Sequence, residues 1–197
     1  MDRILPELNL PYVVNDNLFG AYEATKYLIE SGHERIAVVY SGPEIYTTKL
    51  RLKGFQNVFN DKKIPIDNSL YYDAEYFSVE SGYKVAEKVF NDCNRFSVIF
   101  CLTDELAIGV LKYAHEKHIS IPNDFSLMGY DDIQFSAITN PALTTVHQLK
   151  HKMGYEAAKL IIKEINRKNK SPKRSMSVKR VVLEPYLVLR ESVKSLK

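Results

Sequence analysis

Apolar residues recur along this chain in two alternating rhythms. Leu18, Tyr22, Thr25 and Leu28/Ile29 fall at helical spacing, with Asp16 or Asn17 at the start and Gly32 at the stop, and predict a helix over 18–31. Ile36–Tyr40 is a short continuous β-branched run, the pattern of a strand covered on both faces. The two rhythms then repeat: helix over 48–59, a short strand near 69–72, helix over 79–91, strand over 97–102, helix over 104–118, strand over 125–129, and an extended piece at 144–147. A helix over 154–168, a basic loop, and a β-branched segment at 181–190 interrupted by Pro185 complete the pattern. Such alternation predicts a parallel sheet with helices on both faces. Ligands of such sheets sit beyond the carboxyl ends of the strands. The segments there read SGPEIYTTKLR, YDAEYF, TDE and YDD. Their polar, acidic and aromatic mixture suits a hydroxylated or polar ligand held by hydrogen bonds against a stacking face.

Composition narrows the classes. A length of 197 residues, 45% hydrophobic, supports burial of roughly 70% of the unfolded chain's surface. One domain with a real core is expected, or two small ones. No apolar run approaches the ~18 residues of a membrane span, and the first residues lack the apolar stretch of a secretory signal. The two cysteines, Cys93 and Cys101, make no disulfide framework and read as small buried hydrophobes. A cytoplasmic protein without membrane association is expected. The net charge of +3 is too small to argue by itself for nucleic acid. The stretch Lys163–Arg180 concentrates eight Lys/Arg against Glu164 alone. It lacks interleaved aromatic residues, and reads as a cationic helix end followed by a solvated loop.

Catalytic and cofactor signatures are missing. The first strand is followed by no G-x-G-x-x-G, and no phosphate-cradling G-x-x-x-x-G-K-[ST] or nucleophile elbow occurs. His147 and His151 are four apart, but the intervening Glu of a zinc helix is absent, and they read as two exposed histidines near a helix start. Asp104, Asp131 and Asp132 suggest a carboxylate cluster, although Asp104 stands where a helix cap is wanted. No cofactor, no metal and no enzyme activity are expected.

Several blocks, taken in order, carry a family resemblance. Ser31–Val39 (SGHERIAVV) is similar to a "GH-x-x-IA" signature, Ser41-Gly42-Pro43 to its post-strand turn and Arg51–Phe55 (RLKGF) to "R-x-x-GF". Glu80–Tyr83 matches "ESGY", and Thr103–Gly109 (TDELAIG) is similar to "ND-x-MA-x-G". Ile121–Asp132 resembles "VP-x-DVSV-x-G-[FY]DD", Pro141–Gln148 "P-x-LTTV-x-Q" and Leu187–Ser192 (LVLRES) "LVVRES". Together these blocks resemble the lactose-repressor (LacI) family of bacterial transcription regulators over nearly the whole chain.

The resemblance implies a three-layer αβα, Rossmann-like architecture of the type I periplasmic-binding-protein kind. Two subdomains of that fold close around a small molecule, commonly a sugar or a nucleobase, and the closure changes operator affinity in a homodimer. By this resemblance residues 17–146 are a complete C-terminal effector-binding subdomain. Residues 1–16 are a remnant strand of a partial N-terminal subdomain, 147–185 its last helix and strand, and 186–197 a returning strand and tail. The helix-turn-helix and the first half of the N-terminal subdomain are not in the sequence. Operator DNA is therefore expected to be contacted only through that missing part, with effector binding weak or absent. The bare helix at 154–168 is expected to be covered by a second copy or by repacking within the chain. In relatives the dimer surface uses the helices that correspond to 79–91 and 105–117.

The family's effector contacts map onto Arg51, whose planar fork suits hydroxyls and carboxylates, and onto Asp131, a carboxylate that accepts from sugar hydroxyls. They map further onto Phe77 as a stacking face, with Tyr76 its rival if the loop shifts by one residue. Thr103 stands where many relatives carry Asn, with one hydroxyl in place of an amide. Asp16 and Thr47 are further candidates for the same cleft. Asp132 is expected to be structural, and Asp104 a helix cap and pocket wall. The alternative is a free-standing sugar-binding protein of the same fold, serving transport or chemotaxis.

Overall fold

A computed structural model describes residues 10–92, 95–170 and 179–197. Its elements are β1 (Tyr12–Asn15), α1 (Asn17–Glu30), β2 (Ile36–Tyr40), α2 (Tyr46–Asp61), β3 (Tyr71–Asp73), α3 (Val79–Asn91) and β4 (Val98–Cys101). They continue as α4 (Asp104–Glu116), β5 (Ser126–Met128), β6 (Thr145–His147), α5 (Lys150–Lys170), β7 (Arg180–Leu183) and β8 (Tyr186–Val188). The chain divides into two compact units, residues 17–147 with 186–197, and residues 1–16 with 148–185. Cys93 and most of the basic loop after α5 lie outside the described residues.

The larger unit is an αβα sandwich. Its central sheet runs in the order β3-β2-β4-β5, all parallel, and β2 lies between β3 and β4 in register Val38↔Tyr71 and Val38↔Phe100. Side chains alternate across the sheet, so each strand feeds two cores. Ile36, Val38, Val98, Phe100 and Met128 pack with Ala21, Ala24 and Leu28 of α1 and Phe55, Val58 and Phe59 of α2. Ala37, Val39, Ile99, Cys101 and Leu127 pack with Val85, Ala86 and Val89 of α3 and Leu106, Ala107 and Val110 of α4. The β-branched runs read as buried strands are therefore buried on both faces, and Cys101 is one of the fully buried side chains.

Three glycines of the motif blocks sit where helices touch. A Cβ on Gly82 would run into the Leu106 carbonyl oxygen, one on Gly109 into that of Val79, and one on Gly54 into that of Leu18. "ESGY", "A-x-G" and "R-x-x-GF" thus record two close helix crossings, α3 with α4 and α1 with α2. Gly32, at φ 96°, ends α1: its own N–H and that of His33 bond back to the Ile29 and Leu28 carbonyls, closing the helix as a left-handed C-terminal residue does. His33 is fully buried beyond it, its ring nitrogens 2.8 Å from Ser97 Oγ and 3.0 Å from the Lys194 carbonyl.

Beyond β5, Thr144 bridges to Met128 in parallel, and β6 pairs antiparallel with β8 in register Val146↔Leu187. The C-terminal segment stays on this unit: Ser192 Oγ donates to the Leu127 carbonyl at 2.6 Å, and Leu196 N–H to that of Ser31 at 2.8 Å.

In the smaller unit β1 and β7 pair in parallel, Val13 opposite Val181, and α5 covers them through Leu160, Met153 and Ala157. Asn15 ties this unit internally, donating to Gln148 Oε1 and accepting from the Leu149 N–H, both at 3.1 Å. Helix α5 begins at Lys150 rather than at Gly154, which stands in its first turns with open space where a Cβ would go. The helix therefore starts four residues before the expected position, and a glycine inside it, at a cost of about 1 kcal/mol, is tolerated. Tyr155, Ile161, Ile162 and Ile165 of α5 are exposed.

Candidate functional site

The strand order reverses between β2 and β4, and the loops beyond the carboxyl ends of the sheet carry a polar network. Arg51, on α2 and only 6% exposed, reaches that edge. Its Nε donates to Asn17 Oδ1 at 2.8 Å, its Nη1 to the Leu102 carbonyl, and its Nη2 to Asp131 Oδ1 at 3.0 Å. The guanidinium carbon stands 3.8 Å from the centroid of the buried Tyr130 ring. The fork is therefore held by a helix start, a strand end, a carboxylate and an aromatic face at once. A rigid planar donor of this kind can present its remaining N–H groups to hydroxyls or a carboxylate at small entropic cost.

Asp131 and Asp132 follow β5 with φ of 115° and 49°, a left-handed backbone that non-glycine residues seldom adopt. Asp131 N–H donates to the Val146 carbonyl at 2.9 Å, which sets the turn against β6. Asp132 points the other way. Its two oxygens lie 2.7 Å from Arg190 Nη2 and 2.7 Å from His147 Nδ1. Burial raises the Asp132 carboxyl, but the hydrogen bonds from Arg190 and His147 outweigh it and hold the group below its ordinary range. His147 is accordingly half-buried and stacked on Tyr186 at 4.7 Å, not an exposed histidine, because Asp132 and Tyr186 enclose it. His151 is exposed.

Thr103 caps α4: its Oγ1 accepts from the Leu106 N–H at 3.4 Å. Asp104 is thus not the cap. It is the first helical residue, fully buried, and its carboxylate turns to the 131–136 loop and to β6. Oδ2 accepts from the Ile133 N–H (2.9 Å) and from Ser136 Oγ (2.7 Å), and Oδ1 accepts from Thr145 Oγ1 (2.6 Å). Burial pushes this carboxyl up to about 6, against the pull of the three hydrogen bonds.

Thr47 is half-buried one turn before Arg51 on the same face of α2. Phe77 is 37% exposed beyond β3, and its ring lies over the Gly42 turn that follows β2. Tyr76 is 70% exposed. Arg51, Asp131, Thr103, Thr47 and Phe77 therefore share the carboxyl edge of one sheet, and Arg51 and Asp131 touch. Asp16 belongs to the smaller unit, where its N–H donates to the Leu183 carbonyl at 2.8 Å. The sequence reading missed Asn17 and Tyr130 as partners of Arg51. Asn17 was legible only as a helix start, and Tyr130 only as the aromatic of "YDD". Among the described residues no group of three His, Cys, Asp or Glu side chains could hold a metal ion.

The profile of the periplasmic binding protein-like domain matches residues 25–193. The chain belongs to that family. Its domain is the form carried by LacI-family regulators. The HTH-type transcriptional repressor PurR of Histophilus somni is 34% identical over 93% of this chain and 54% of its own length. The ribose operon repressor of Haemophilus influenzae is 32% identical over 100% of this chain and 57% of its own. Among solved structures, a LacI-family regulator from Enterococcus faecium with bound ribose superposes with a TM-score of 0.84 at 27% identity, covering 99% of this chain and 69% of that one. A complex of the regulator CelR with cellobiose superposes at 0.86 and 28% identity, covering 96% and 56%. The periplasmic binding protein-like domain described here spans a little over half the length of the curated relatives it matches. Those relatives are transcriptional repressors, and among the described residues no helix is long and apolar enough to cross a membrane.

Proposed function

We infer that this domain is the effector-sensing part of a LacI-type transcriptional regulator and that its ligand is a small polyhydroxylated molecule such as a sugar. The observation that carries the reading is the Arg51–Asp131 pair at the carboxyl edge of the sheet, at the point where strand order reverses. A guanidinium and a carboxylate that neutralise one another offer both donors and acceptors without net charge, which matches neutral hydroxyls better than an anion. Phe77 supplies an apolar face on the same edge, and Thr103 and Thr47 add hydroxyls. Structural relatives with ribose and with cellobiose bound support the sugar class.

In this reading ligand binding modulates operator DNA binding through parts of the regulator other than this domain, and the protein works in the cytoplasm as a homodimer. Exposed apolar side chains on α3 and on the turn at 134–138, Val79, Phe135 and Ile138, support a dimer surface there. Calorimetric titration of a regulator that carries both subdomains of the sensor, with D-ribose and with cellobiose, tests the ligand class. Saturable heat with one of them, lost in Arg51→Ala, is expected; no heat with either sugar would overturn the sugar reading.

A further inference from the structure

Two consecutive aspartates at positive φ, 115° and 49°, carry the Asp131 side chain to Arg51. Backbone of this kind persists only where its surroundings hold it. The surroundings here are built around one buried carboxylate that makes no contact with Arg51 or Asp131 as a hydrogen-bond partner. Before the turn, the Asp104 N–H donates to the Tyr130 carbonyl at 2.7 Å. After the turn, Asp104 Oδ2 takes the Ile133 N–H and the Ser136 hydroxyl. Beside it, Asp104 Oδ1 takes the Thr145 hydroxyl, whose oxygen accepts in turn from the Asp132 N–H at 3.4 Å. Gly129 completes the arrangement, since a Cβ there would run into Asp104 Oδ1.

We propose that Asp104 is the positioning residue of this site: it clamps the 130–133 turn from both ends so that Asp131 meets Arg51, without touching ligand itself. The proposal rests on the reading of Arg51 and Asp131 as effector contacts. The charged and titratable groups that face Asp104 are Asp131 in the turn, Cys101 at the end of β4, and, across Thr145, Asp132 with its partners Arg190 and His147. Among the described residues no cation pairs with Asp104, so its charge is met by three neutral donors in a buried setting. That setting lifts its carboxyl to about 6. Protonation weakens it as an acceptor, so the clamp loosens as the pH falls through that value.

Ligand-free NMR tests this. In the unaltered protein the Ile133 amide and the Arg51 Nε–H resonances should follow a single transition near pH 6. In Asp104→Asn that transition should vanish, and the Arg51 signal should sit away from its neutral-pH position at every pH. An Asp131→Asn control should keep the Ile133 transition, because the titrating group is elsewhere. A role confined to stability would lower the melting temperature and leave the Arg51 signal unmoved. An Arg51 signal that stays fixed while the Asp104 carboxyl titrates would overturn the proposal, and the titration of the unaltered protein alone can show it. Because no sugar is used, failure of ribose to bind would count against the proposed ligand and not against the clamp.

Discussion

Arg51 Nη2 lies 3.0 Å from Asp131 Oδ1, joining α2 to the turn after β5 across 80 residues of chain. The side chains are 7% and 23% exposed, so the pair is largely out of water. Removing one partner of such a pair strands the other charge, which costs about 3–5 kcal/mol when burial is complete. Arg51→Ala, which also abandons Asn17 and the Leu102 carbonyl, should lower stability by roughly 3 kcal/mol once the exposure of Asp131 is allowed for. The double variant Arg51→Met, Asp131→Asn should recover part of that loss. Urea unfolding of the two variants checks the prediction, and equal losses in both would contradict it.

Asp104 has a second consequence, for stability against pH. Its folded value is raised from 3.8 to about 6, so the folded protein holds this proton more tightly than the unfolded chain does. The sign is that stability from this group is present at acid pH and is lost as the pH rises from about 4 to about 6, by about 3 kcal/mol in total. Asp104→Asn should flatten that part of the profile. The difference in unfolding free energy between variant and parent, measured at pH 4.5 and at pH 7.5, should favour the variant more at the higher pH.

Asp132 runs the other way. Its folded value is lowered, so its contribution is complete above the ordinary aspartate range and is lost as the pH falls through the lowered folded value. Arg190→Ala removes the larger of the two interactions that lower it. The acid-unfolding midpoint of that variant should move to higher pH, and a midpoint that does not move would show that His147 alone suffices.

Glycines at two kinds of position should respond oppositely to alanine. Gly82→Ala places a methyl against the Leu106 carbonyl and must separate α3 from α4, at a cost of about 1–3 kcal/mol or more. Gly154→Ala places one in open space on α5 and should raise stability by up to about 1 kcal/mol. Thermal unfolding of the two variants gives the comparison directly.

Most of the larger unit was legible in the order of its residues. β2 and α3 begin and end where the pattern puts them, at Ile36–Tyr40 and Val79–Asn91. The reason is local: a five-residue β-branched run and a Ser78-capped amphipathic helix each carry their own start and stop. One boundary that missed is the start of α5, which begins at Lys150 rather than at Gly154. Elsewhere the ladder, not the composition, limited the strand, as at β5, which pairs with β4 only over Ser126–Met128.

The arrangement of the site depended on folding. That Arg51 and Asp131 belong to motif blocks could be read along the chain; that they meet, and that Asn17, Tyr130 and Leu102 complete the grip on the guanidinium, could not. Likewise, Asp104 and Thr103 are neighbours with interchangeable capping chemistry, and only the backbone at the α4 start decided which side chain caps and which turns to the loop. Hydrophobic period and capping are short-range properties that residue types express within a few positions. The hydrogen bonds that join residues 17, 51, 102 and 131, and those that join 104, 132, 136, 145 and 190, exist only once the sheet has placed their strands side by side.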